Sequence, residues 1–314
     1  MQIQKVIEAF KKSGKRFHLI GNDKTGVLVA LDMEGRLFTV LDEEVLNRVN
    51  IEAIFGESTR DKYLNPGGDV LWPAPEGTTY GYQYPTNAWR VSPSLRNARF
   101  AVTHKTANSA TICSEVDLIN NQGLGVPTIF KREITISSGL KFVNVKVVES
   151  ITYIGEKIFS KSDFLLAPWT LCQFECGSDC EVTFAYEDRD SVWDLYEQNS
   201  EQNRRWTKGV CHTTTDGTSL YQIGIDKRVP WIEYHDPRRG LVVRRQAEPL
   251  LKGNSYIDIS DSMPNIDPSK KGVRYSVYSD PDNFMEIEAV GGCPDIISPN
   301  TELYLSVNTQ YSKS

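Results

Sequence analysis

Asn65-Pro-Gly-Gly-Asp-Val-Leu-Trp-Pro-Ala-Pro-Glu-Gly77 combines an adjacent glycine pair, three prolines, a Trp and two carboxylates in one short stretch. Its proline content excludes a helix, and its glycine content argues against a central strand. It reads as a rigid loop, or as a short strand that ends in one. Strand-like runs flank it on both sides, and a loop that carries Trp72 and Glu76 on a β scaffold is a typical place for a ligand.

Working outward, Ile3, Val6, Ile7 and Phe10 recur at helical spacing, so the chain opens with an amphipathic helix that ends before Ser13-Gly14. Residues 17–20 and 27–31 form a hairpin around Asn22-Asp-Lys-Thr-Gly26, and residues 35–40 form a third strand. Residues 43–54 read as a short helix with Asp42 as its N-cap. Residues 80–90 are aromatic and irregular, and are expected at the surface. Strand then follows strand. In residues 143–147, Val143, Val145 and Val147 alternate with Asn144 and Lys146, the pattern of a half-buried antiparallel strand. Residues 187–203 form a long polar loop with a helical turn. The chain therefore predicts an all-β fold, an antiparallel sandwich or two sandwiches fused into one. A propeller competes, but its blade repeat of about 40–45 residues is not visible. The expected organisation is a single domain over residues 1–314, with a helix at 1–14 and the sandwich at 15–311.

Composition narrows the function classes. The net charge of -6 and the scattered Lys and Arg leave no basic stripe for nucleic acid. No apolar run approaches the ~20 residues of a membrane span. The N-terminus lacks the apolar core of a signal peptide, which reads as cytoplasmic unless a leader has been removed. Cys172, Cys176 and Cys180, three of the 6 cysteines, are spaced by fours. They lie on two strands joined at Gly177-Ser-Asp179 and read as structural thiols. Four scattered His give no metal motif, and neither a metal nor another cofactor is expected. A Ca²⁺ held by carbonyls and Asp would leave no motif.

Several segments, in order, resemble the galactose mutarotase-like superfamily, and within it the hexose-6-phosphate epimerase type. They are Gly35-Arg-Leu-Phe38, Gly67-Gly-Asp-Val-Leu-Trp-Pro-Ala-Pro-Glu-Gly77, Trp89-Arg-Val91, Thr128-Ile-Phe-Lys-Arg-Glu-Ile-Thr-Ile136, Phe284-Met-Glu-Ile-Glu-Ala-Val-Gly-Gly292 and Ser298-Pro-Asn-Thr-Glu-Leu303. The resemblance spans roughly residues 17–311 and implies a β-supersandwich whose concave sheet face binds sugars. It places the catalytic glutamate at Glu288. It also shows departures. Tyr84-Pro-Thr-Asn-Ala-Trp-Arg90 stands where such proteins carry a His, Pro168-Trp169 stands where they carry a second His, and Pro66 replaces their phosphate-binding Arg.

Mutarotation needs a base for the anomeric hydroxyl and an acid for the ring oxygen. Glu288 is the candidate base. It shares a strand face with Phe284 and Glu286, while Met285, Ile287 and Ala289 point into the core. Among the histidines, His235 beside Asp236 is the candidate acid. Trp72, Trp89 and Trp169 are candidate stacking platforms for a pyranose. Glu76, Arg90 and Gln173 are candidates to hydrogen-bond its hydroxyls, and Arg132 to reach the concave face. The expected ligand is a sugar or oligosaccharide. The expected function is that of a mutarotase-like carbohydrate binder, possible as an aldose-epimerase-like isomerase with an altered site. The alternatives are a non-catalytic sugar-recognition protein and an accessory protein of polysaccharide degradation. An enzyme requires Glu288 to meet His235 or another acid in one pocket, and a binder requires only the Trp platforms.

Overall fold

The stretch 65–77 contains a strand after all. In a computed structural model, which describes residues 1–59 and 61–314, Asp69–Ala74 is a fully buried strand in the middle of a ten-stranded antiparallel sheet. Tertiary pairing overrides the local composition here. Backbone alternation points Pro73 toward the Arg36–Leu41 strand, and that strand pairs with this one only at Leu37↔Asp69. The N–H that proline lacks therefore belongs to no ladder at that position. The glycine pair turns the chain into the strand. Gly67 and Gly68 have φ of 86° and 74°, and a Cβ on Gly67 would lie 2.1 Å from the Arg48 carbonyl oxygen.

The first sheet runs in the order Phe17–Gly21, Thr25–Ala30, Arg36–Leu41, Asp69–Ala74, Ala167–Glu175, Phe284–Val290, Tyr275–Asp280, Tyr221–Ile225 and Val192–Asp194, with Glu44–Val45 beside Arg36–Leu41. The second runs Arg204–Thr207, Val210–Thr214, Glu181–Ala185, Ile232–Asp236, Leu241–Ala247, Glu302–Lys313, Phe142–Tyr153, Gly125–Gly139, Ser109–Ile119 and Ala101–Lys105. A continuous apolar cluster fills the space between them. It takes Leu71, Cys172, Ile287 and Val277 from the first sheet, and Ile134, Val147 and Val307 from the second.

The helix Ile3–Ser13 buries Ile3, Val6, Ile7 and Phe10, as their spacing predicts. They pack on Leu28, Ala30, Phe38 and Val40, on the side of the first sheet that faces away from the second. The helix thus covers one end of that face and leaves the rest free. The expected helix over residues 43–54 is shorter. It spans Ile51–Phe55 with Asn50 as its N-cap, while Glu44–Val45 joins the sheet. The Lys15 ammonium donates to the Ala53, Ile54 and Gly56 carbonyls, where a cation suits the helix C-terminus. Residues 80–90 are not a surface segment throughout, since Tyr82 and Gln83 are fully buried.

Arg132, Glu149, Asp69 and Arg245 form a charged network between the sheets. Arg132 places all five N–H donors: on both Glu149 oxygens, on Asp69 Oδ1 at 2.5 Å, and on the Gly35 and Asp69 carbonyls. Arg245 reaches Asp69 Oδ2 at 3.0 Å, Thr170 Oγ1 at 2.7 Å and the Ile287 carbonyl at 2.8 Å. The expectation that Arg132 reaches the concave face is therefore corrected. Its apolar neighbours on the same strand face point toward the other sheet, and Arg132 follows them inward, where buried acids neutralise it. Removing one partner of such a network leaves a buried charge uncompensated. Arg132→Met should lower the unfolding free energy by about 3–5 kcal/mol in urea titrations, and a loss under ~1 kcal/mol would show that the network does not lock the sheets.

Candidate active site

Strand register gathers the site on the free face of the first sheet. Glu286 and Glu288 lie two apart on Phe284–Val290, so they share a face. Across one ladder stand Gln173 and Leu171, with Trp169 opposite Val290. Across the other stand Tyr278 and Ser276. Trp72 faces Trp169 from the next strand, and Gln222 faces Tyr278 from the far side. Among them, Trp72, Trp169, Leu171, Gln222, Tyr278 and Glu286 line a cavity of about 1120 Å³ along the sheet. Loops close its sides with Tyr63, Glu76 and Trp89, with Leu195 and Tyr196, and with the 261–266 segment.

The aromatic walls are held from behind. Trp72 donates its indole N–H to Glu34, which also accepts from Arg36 and from the Tyr63 hydroxyl. Trp169 donates to Glu288 Oε2 at 2.9 Å and meets Trp72 edge-on, with ring centroids 6.2 Å apart. Trp89 donates to Glu76 Oε1 at 2.8 Å.

The carboxyl groups form the chemical centre. Glu286 is 5% exposed and lines the cavity; Glu288 is fully buried beside it on the same strand face. Their carboxyl groups are neighbours, and each shifts the other's proton affinity. Gln173 Nε2 donates to Glu286 at 2.6 Å, and Gln222 Nε2 reaches both Glu288 oxygens at 3.2 and 3.3 Å. Burial raises the Glu288 pKa to about 7, against the hydrogen bonds from Trp169 and Gln222. Burial, then the neighbouring Glu288, holds Glu286 well above the ordinary carboxylate range. Glu76 is pushed the same way by burial and by Asp261. Asp261 is itself raised by burial and accepts from the Tyr84 hydroxyl. Two carboxyls in contact cannot both ionise cheaply, so the Glu286–Glu288 pair titrates as a unit that retains a proton near neutrality. The arrangement offers a proton donor and a proton acceptor beside the same cavity without a histidine.

A family model matches residues 2–231. The chain belongs to DUF6786, a family of unknown function. No functionally curated protein matches it in sequence. Solved structures resemble it over nearly its whole length at low identity. A galactose mutarotase-like protein from Lactobacillus casei is 12% identical, with 94% of this chain and 100% of that one covered and a TM-score of 0.58. The Slr1438 protein from Synechocystis sp. PCC 6803 is 11% identical, with 96% of each chain covered and a TM-score of 0.57. A proposed aldose 1-epimerase from Escherichia coli K12 is 11% identical, with 96% and 100% covered and a TM-score of 0.54. This DUF6786 member therefore has the antiparallel galactose mutarotase-like β-supersandwich fold that its sequence motifs imply.

The DUF6786 cavity collects some of the sequence-nominated residues and not others. Trp72, Glu76, Trp89 and Trp169 line it, and Gln173 holds Glu286 from behind. Glu288 is fully buried and outside the lining, and Glu286 is the carboxyl that reaches the space. Arg90 is half-buried and outside the lining, with its main-chain N–H on the Gln83 carbonyl. His235 is a correction. It lies on the second sheet, where Ile232, Tyr234 and Asp236 take the buried positions and leave Glu233 and His235 on the outer side. There His235 pairs with Glu233 at 2.8 Å. The two-residue spacing in Phe284-Met-Glu-Ile-Glu288 signals Glu286. Asp261, Tyr196 and Tyr63 come from loops and have no such signal. Among the described residues, no three His, Cys, Asp or Glu side chains converge as metal ligands do, and no helix is long and apolar enough to cross a membrane.

The raised carboxyl pKa values have a consequence for stability. The folded protein keeps protons that the unfolded chain releases. The contribution of Glu288 is fully present below its unfolded pKa near 4 and is lost as pH rises through about 7. Melting temperature should fall more steeply from pH 5 to 8 in the wild type than in Glu288→Gln. Parallel profiles by scanning calorimetry would show that the pair does not titrate in this window.

Proposed function

We propose that this protein binds sugars in the cavity and interconverts their anomers by carboxyl-based acid–base chemistry. One observation carries the reading: Glu286 and Glu76 line one aromatic-walled cavity with Glu288 buried beside Glu286, and burial, joined by neighbouring carboxyls for Glu286 and Glu76, raises their pKa values. An aromatic wall suits the C–H face of a pyranose, and buried polar groups at its edge suit its hydroxyls. The fold-related proteins described as mutarotase-like or as a proposed aldose 1-epimerase support a saccharide over other ligands.

In this mechanism the Glu286–Glu288 pair accepts the proton of the anomeric hydroxyl. Glu76, kept protonated by burial beside Asp261, donates to the ring oxygen. The C1–O5 bond breaks as the C1–O1 bond gains double-bond character, which gives the open aldehyde. Rotation about C1–C2 and reversal of the two transfers close the ring on the other face. Trp169 and Gln222 fix Glu288, and Gln173 fixes Glu286, so little reorganisation accompanies proton transfer.

Polarimetry over a panel of aldoses tests this. The wild type should accelerate anomerisation of at least one sugar, and Glu286→Gln and Glu76→Gln should each reduce that acceleration about 10²–10⁴-fold. Saccharide binding with no rate above the spontaneous one would leave a recognition protein instead. Absence of any saccharide-dependent thermal shift would remove both readings.

A further inference from the structure

The cavity extends outward beyond the carboxyl floor, and its outer part has a different character. Trp89, Leu220, Met263 and Ile266 all line it and are 40%, 38%, 50% and 48% exposed. Large apolar side chains left bare together at a cavity mouth mark a surface that a ligand covers. Trp89 is also fixed in place. Its indole N–H is anchored on the buried Glu76, and its ring meets the Tyr63 ring near-perpendicularly, with centroids 6.5 Å apart. An exposed Trp normally loses side-chain freedom when a ligand stacks on it; this one is already ordered, so stacking costs less.

Size and charge narrow the occupant. The space of about 1120 Å³ exceeds the roughly 300–1,000 Å³ that holds a drug-sized ligand, and a lone hexose is smaller than such a ligand. Among the described residues, Lys62 is the only basic side chain in the lining, against Asp61, Glu197, Asp280 and Asp282 in addition to the acids of the floor. A phosphate, sulfate or uronate group would enter a field dominated by its own sign, with Lys62 the one basic side chain among the described lining residues.

Building on the saccharide reading above, we infer that the ligand is an uncharged oligosaccharide of at least two rings. The reducing-end ring sits on the carboxyl floor over Glu286, against the wall formed by Trp72 and Trp169. The next ring stacks on Trp89 and covers Met263 and Ile266. Trp89 serves as an outer-subsite residue that selects chain length.

Isothermal titration calorimetry with uncharged gluco-, manno- and galacto-oligosaccharides of one to four residues tests this, beside an oligogalacturonide series. At least one uncharged series should bind ten-fold or more tightly at two residues than at one, and the uronate series should bind at least ten-fold more weakly than its galacto-counterpart. Trp89→Ala and Ile266→Asp should collapse the oligomer-to-monomer affinity ratio toward one. Trp89→Phe, which keeps a stacking face without the N–H, should retain most of it. Circular dichroism checks that each variant folds. Monosaccharides bound as tightly as oligomers would overturn the outer subsite while leaving the saccharide reading intact. Equal binding of the uronate series would overturn the selection for uncharged chains. Failure of every saccharide to bind would overturn the saccharide reading and this inference with it.

Discussion

Asp69 is the residue on which the two sheets meet. Its carboxylate takes Arg132 on one oxygen and Arg245 on the other, and Glu149 completes the set from the register position opposite Arg132. Two acids and two bases cancel in a dry interior. Such a network is not in itself a large source of stability, because each charge gives up its hydration. What it imposes is position. A sheet that slid by one residue would strand an unpaired charge in the core, so the network penalises every packing except this one.

The site inherits that constraint. Arg245 binds the main-chain carbonyl of Ile287, which stands between Glu286 and Glu288. Asp69 begins the strand that carries Trp72 on its opposite face. Because side chains alternate along a strand, fixing Asp69, Thr170 and Ile287 on the inner side also fixes Trp72, Trp169 and the two glutamates on the outer side. The cavity floor is thus positioned from beneath. Its loops fit over a base that does not move, and two carboxyls can then be held in contact at the cost of raised pKa values.

The comparison with sequence reasoning follows from the same geometry. Alternation in residues 284–290 correctly placed Glu286 and Glu288 together and the apolar residues in the core. It failed for Arg132, because the alternating pattern names two faces without saying which one meets the other sheet. His235, nominated for its place beside Asp236 at a strand end, lies on the outer side of the other sheet, which no local pattern displays. Residues 65–77 read as a rigid loop or a short strand that ends in one, because Gly and Pro are local penalties. Pro73 escapes its penalty only because the neighbouring strand departs after Asp69, and that fact lies outside the segment. Cys172, Cys176 and Cys180 are buried free thiols.

The sequence by itself determined the all-β class, the N-terminal helix, the family resemblance and the aromatic content of the segment at 65–77. Each of these depends on spacing or order within short stretches, which a linear chain displays. Tertiary structure alone decided that Glu286 reaches the cavity while Glu288 is buried beside it, that Glu76 and Asp261 share one electrostatic environment, and that no histidine stands among the described lining residues. Burial and proximity between residues far apart in the chain set those properties. A carboxyl's proton affinity depends on the charges and solvent around it, which pairing of the strands brings into place.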